Sequence, residues 1–139
     1  SGRVMRGFWE AADLVLLVTH PDTVAVMDSY AAIKLVCRDD PPHTTIATLA
    51  NCAVDESAGA EVHERIDRAC RRFLGLHVDD AGAIPFDPCA PRASAVERPL
   101  VIDTPDSPAA ASLVALAAEV ERRMVAESPL HVHFRPAAR

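Results

Sequence analysis

Five apolar residues in a row, Leu14 to Val18, stand out from a chain that otherwise mixes apolar and polar positions. The run is short, carries β-branched valines and does not alternate, which predicts a strand buried on both faces of a parallel sheet. Thr19-His20-Pro21-Asp22 breaks it. Apolar positions then recur at helical spacing, at Val26, Tyr30, Ile33 and Cys37, and predict a helix over about 22–38. Asp39-Asp40-Pro41-Pro42 cannot continue that helix.

The same reading extends along the chain. Val4, Phe8, Ala11 and Ala12 share one helical face, so a short amphipathic helix near residues 3–12 leads into the first strand, with Trp9 beside the stripe. Thr44 to Asn51 reads as a second strand and Cys52 to Gly59 as a polar loop, with Ser57 a candidate helix cap. Val62, Ile66, Ala69, Cys70 and Phe73 define a helix over 61–74 that Gly75 ends. A third strand falls within 76–84 and closes at Pro85-Phe86-Asp87-Pro88. A short helix near 90–96 and an extended piece over 99–104 come next. Asp106-Ser107-Pro108 opens a last helix, with Leu113, Leu116, Ala117, Val120 and Met124 on its apolar face to about Ala126. The order α-β-α-β-α-β-(α)-α predicts an α/β protein, a parallel sheet in three layers with flanking helices. Three strands are few for this class, which suggests a part of a larger sheet.

Composition narrows the function classes. The chain has 139 residues, half of them hydrophobic, and a formal net charge of -6, which makes nucleic acid an unexpected partner. Of its 14 basic residues, Lys34 is the sole lysine. Cys37, Cys52, Cys70 and Cys89 form no CxxC pair, so a zinc site or a thioredoxin-like motif is not expected, and reduced thiols are. There is neither a signal peptide nor an apolar run near the ~20 residues of a membrane span, and a cytoplasmic location is expected. Residues 128–139, with two prolines and no sustained apolar stripe, read as a loose tail without a membrane-binding helix.

Parallel strands would bring Thr19-His20-Pro21-Asp22, Asn51-Cys52 and Pro85-Phe86-Asp87 to one rim, where ligands bind in open α/β sheets. Asn51 offers a donor and an acceptor, the pair that reads an adenine edge, and Pro85 and Phe86 offer an apolar wall. On pattern alone the favoured reading is plainer: Asn51 and Asp87 cap the following helices and Pro85 only breaks a strand. The five glycines are scattered and form neither GxxxxGK[ST] nor GxGxxG, so no phosphate loop is present and hydrolysis by this chain alone is not expected. His20 follows a strand, but no motif places a nucleophile beside it. His131-Val132-His133 reads as a surface pair, and no metal site is expected. Arg65, Arg68, Arg71 and Arg72 alternate with Glu61, Glu64 and Asp67 on a solvated helix face.

These residues also match a known family. AADLVLLVTHPDTVAVMDSYAAIK resembles the AAD-x-V-L-V-V-T-x-P-x-P-T-x-x-x-D-A-Y-A-x-I-K stretch of MinD/ParA-type (SIMIBI class) P-loop ATPases, most of all the FlhG branch, also called YlxH. The strand end at Asn51 is similar to the family's V-N element, and Ile84-Pro85-Phe86-Asp87-Pro88 to its I-P-x-D-P. Arg98-Pro99-Leu100-Val101 and Thr104-Pro105-Asp106-Ser107-Pro108-Ala109-Ala110 resemble its x-R-P-x-V and x-P-N-S-P-A-A. The resemblance covers about residues 3–126. It implies that residues 1–127 are the carboxyl-terminal half of such an ATPase domain, part of a P-loop NTPase-like fold.

In the family the Asn matching Asn51 contacts adenine and the backbone at the position of Pro85 and Phe86 lines the base, so this chain would contribute Asn51 and the Pro85–Asp87 segment to adenine. Asp28 matches an Asp on a helix near the ATP-dependent dimer face. ATP or ADP with Mg²⁺, self-association and flagellar assembly proteins are therefore implied for a longer parent that regulates flagellar number or placement. Three positions depart from the pattern: His20 replaces Thr or a small residue, Cys52 stands where Arg is common, and Phe86 replaces Glu. The competing expectation is a non-catalytic, P-loop-less α/β module that binds a protein through its strand-end rim or exposed helix faces.

Overall fold

The structure is a computed structural model and describes residues 2–37 and 44–127. Its elements are α1 (Gly2–Glu10), β1 (Leu14–Thr19), α2 (Thr23–Val36), β2 (Thr45–Ala53), α3 (Glu56–Leu74), β3 (Asp79–Pro85), α4 (Cys89–Ala95), α5 (Leu100–Asp103) and α6 (Pro108–Glu127). The helix stop at Asp39-Asp40-Pro41-Pro42, the tail over 128–139 and the histidines His131 and His133 lie outside the described residues.

The three strands form one parallel sheet in the order β1-β2-β3. β2 is central, and its Ile46 to Ala50 are all buried, as an apolar strand covered on both faces must be. On one face α2 and α3 pack a core of Val26, Ile33, Ile46, Ala50, Val62, Ile66, Cys70 and Val78. On the other, α6 covers Leu49 and Ile84 with Ala109, Leu113 and Leu116. The three-layer α/β architecture expected from the element order is the one observed.

Helix α3 passes so close to the sheet that a Cβ on Gly59 would lie 2.5 Å from the Ala83 Cβ. Glycine is the residue that permits this approach. At the far end of α3, Gly75 adopts φ +64° and closes the helix as expected.

Several local expectations change. The loop read over 52–59 shrinks to Val54-Asp55, because β2 runs on to Ala53 and α3 starts at Glu56. Asp55, not Ser57, caps α3: its side chain accepts the Ala58 N–H at 2.7 Å. Leu100–Asp103, expected to be extended, is a one-turn helix behind Pro99.

Two apolar stripes turn the other way from expectation. Val4 and Phe8 on α1 face solvent, whereas Trp9 packs on the core and its carbonyl accepts the Thr44 hydroxyl at 2.8 Å. Phe73 is exposed, and Leu74 turns inward in its place. The helical step of 100° carries the line through Val62, Ile66 and Cys70 on to Leu74. The Phe73 ring still meets Tyr30 edge-on, with centroids 6.5 Å apart.

Candidate functional site

Because the strands are parallel, β1, β2 and β3 all end on one side, at Thr19, Ala53 and Pro85. On the face covered by α6 a cavity of about 500 Å³ opens there. Its floor is apolar: Leu16 and Val18 from β1, Leu49 from β2, and Leu113 and Leu116 from α6. Asn51, Cys52, Pro85, Phe86 and Asp87 form the end nearest the strand tips. The size and lining, mostly apolar with a few converging polar groups, suit a small-molecule site. Asn51, Pro85, Phe86 and Asp87, singled out in the sequence, thus meet at one cavity.

A bulge sets the geometry of Asn51. Asn51 pairs with Ile84 and Ala53 with Pro85, so Cys52 is an extra residue in β2. Cys52 takes φ +59°, a left-handed conformation that costs a non-glycine residue of order 1–3 kcal/mol. The Asn51 Oδ1 accepts the Cys52 N–H at 3.0 Å. Its Nδ2 has no partner among the described residues, so two donor hydrogens and the second lone pair of Oδ1 remain for a ligand.

The Pro85-Phe86-Asp87 turn is held from both sides. The Phe86 N–H donates to the Ala53 carbonyl at 2.9 Å. Asp87 is buried, with Oδ1 accepting the Cys89 N–H at 2.8 Å and Oδ2 the Ala109 N–H at 3.1 Å. These backbone hydrogen bonds, Cys89 first and then Ala109, hold its carboxyl below the usual carboxylate range and outweigh burial, with Ser107 assisting. Both oxygens of Asp87 are therefore engaged in fixing the turn. Phe86, by contrast, is 65% exposed and lines the same cavity.

Other candidates lie apart from this cavity. His20 is exposed after β1, and Asp22 caps α2 by accepting the Ala25 N–H at 2.8 Å. Asp28 is exposed on α2 and does not line the cavity. Arg68 pairs with Glu64 and Arg71 with Asp67 on the solvated face of α3, as their alternation predicts. Among the described residues no group of three or more His, Cys, Asp or Glu side chains is placed to hold a metal ion. No described helix is long and apolar enough to cross a membrane.

Sequence reasoning did not single out Leu16, Val18, Leu49, Leu113 and Leu116 as site residues. The one available signal was alternation within β1, where Leu16 and Val18 point away from the face shared by Val15 and Leu17. Nothing in the sequence marks Cys52 for a left-handed backbone.

No protein-family model matches the chain. It is 30% identical over 128 residues to the antiactivator FleN of Pseudomonas aeruginosa, a match that covers 91% of this chain and 45% of FleN. The chain thus spans a little under half the length of that curated relative. The similarity runs through nearly the whole chain and bears out the resemblance carried by the motifs at Ala11–Lys34, Asn51, Ile84–Pro88 and Thr104–Ala110. Over nearly its whole length the chain is similar to FleN, in line with the resemblance of its motifs to the FlhG branch of the MinD/ParA-type P-loop ATPases.

Proposed function

We propose that this chain is the base-binding and dimerising part of a MinD/ParA-type ATPase that regulates flagellar number or placement, and that the strand-end cavity receives adenine. One observation carries the reading: the Asn51 amide, with free donors and a free lone pair, stands at an apolar cavity of base-accommodating size. An Asn side chain pairs in bidentate fashion with adenine, accepting from N6 and donating to N7, whereas guanine presents two acceptors there. Pro85 and Phe86 would wall the base, and Asp87 would act by locking their turn.

In this reading the phosphates and Mg²⁺ of ATP or ADP are held by parts of the parent protein outside this chain, and hydrolysis takes place there. Asp28, exposed on α2, would face the second copy in a nucleotide-dependent homodimer. Flagellar assembly proteins would be the partners, met in the cytoplasm. The name of FleN as an antiactivator supports a regulatory role.

The test is Asn51→Ala in the protein at its natural length. ATP affinity should fall about 5- to 150-fold, as expected for one lost bidentate base contact, and GTP affinity should change much less. Equal losses for both nucleotides would count against adenine readout.

A further inference from the structure

Phe86 combines two properties that rarely meet: its backbone is fixed on both sides and its ring is free. The Phe86 N–H is tied to the Ala53 carbonyl, and the next residue spends both carboxylate oxygens on Cys89 and Ala109. Pro85 before it is the last residue of β3 and restricts φ. Yet Phe86 is 65% exposed, and it lines the cavity that Asn51 also lines.

A large apolar ring held in water at a cavity mouth gains by being covered, and its flat face prefers another flat ring in an offset stack. An aliphatic ligand would fill the leucine floor equally well but would leave the Asn51 amide unpaired. A planar base with hydrogen-bonding edges uses both features.

Resting on the base-site reading above, we propose that the Phe86 ring is a stacking platform for the purine of the bound nucleotide. The two residues divide the work. Phe86 supplies affinity for any purine, because every base offers a π face, and Asn51 supplies the choice between adenine and guanine.

The experiment titrates ADP and GDP separately into the natural-length protein and into its Phe86→Leu, Phe86→Tyr and Asn51→Ala variants. Phe86→Leu keeps an apolar side chain but removes the ring, and melting curves check that the exposed position leaves the fold intact. Phe86→Leu should weaken ADP and GDP alike, by about 5- to 100-fold, and Phe86→Tyr should retain wild-type affinity. Asn51→Ala should weaken mainly ADP.

Affinities of Phe86→Leu within twofold of wild type, alongside a loss in Asn51→Ala, would overturn the platform and leave the base site standing. A loss for ADP alone in Phe86→Leu would also overturn it, since stacking does not select the base. If the wild-type protein bound neither nucleotide, the base-site reading and the platform would fall together.

Discussion

The Asp87 carboxylate accepts the Ala109 N–H at 3.1 Å across 22 residues of sequence and so fastens the start of α6 to the end of β3. Its other oxygen holds Cys89 at the start of α4. A single buried side chain therefore positions two helix starts and the Phe86 turn between them and the sheet.

Asp87→Asn keeps the shape but can accept with one oxygen only, so one of the two N–H groups is left unsatisfied. The variant should melt below wild type at pH 7. The sign of the pH effect follows from the lowered folded pKa. The stabilisation is present above the ordinary carboxylate value, near 4, and disappears as the pH falls through the lower folded value. The gap in melting temperature between wild type and Asp87→Asn should thus be full at pH 7 and shrink below about pH 4. A gap independent of pH would show that the charge of Asp87 is not what the two N–H groups require.

The contact of α3 with β3 gives a sharper steric test. A Cβ at Gly59 would sit 2.5 Å from the Ala83 Cβ, and neither atom belongs to a flexible side-chain end. Gly59→Ala should therefore destabilise the fold by about 1–3 kcal/mol despite the higher helix propensity of alanine. In an Ala83→Gly background the same change should cost far less, because the opposing methyl is gone. Denaturant titration of the four proteins measures the coupling. Additive effects would mean that the two residues do not touch.

Much of this arrangement could be read in the residues, and the parts that could not have identifiable causes. The stripe through Val26 and Ile33 was legible because both are buried, whereas the run Leu14–Val18, read as a strand buried on both faces, is an edge strand of the described sheet with its residues half-buried and Val18 54% exposed. The rim residues Asn51, Pro85, Phe86 and Asp87 could be grouped because parallel strands must end together. The cavity floor could not be, since it depends on how far α6 reaches across the sheet. The inward turn of Trp9 and the exposure of Val4 and Phe8 depend on where α1 meets its neighbours, which a helical period alone does not decide. The left-handed Cys52 arises from the register between β2 and β3. Whether Asp87 capped helices or met a ligand stayed open in the sequence. The structure shows it capping, with both oxygens engaged.

Cys70 supplies an alkaline counterpart to Asp87. Burial, reinforced by the neighbouring charges of Cys37 and Asp67, pushes its thiol up to about 11. A raised folded pKa contributes stability that is complete below the unfolded value, near 9, and is lost as the pH climbs towards 11. Wild-type protein should lose roughly 2 kcal/mol more than Cys70→Ala between pH 9 and pH 11. Melting curves collected across that range measure the difference. Parallel curves for the two proteins would show that the Cys70 thiol ionises alike in the folded and unfolded states.

The most direct measurement is a crystal structure of the natural-length protein with ADP. The adenine should lie in the cavity between Leu16, Leu49 and Leu113, with its N6 and N7 within about 3.2 Å of the Asn51 amide and its face on Phe86. A base bound elsewhere, or an Asn51 amide turned away from it, would contradict adenine recognition by this chain.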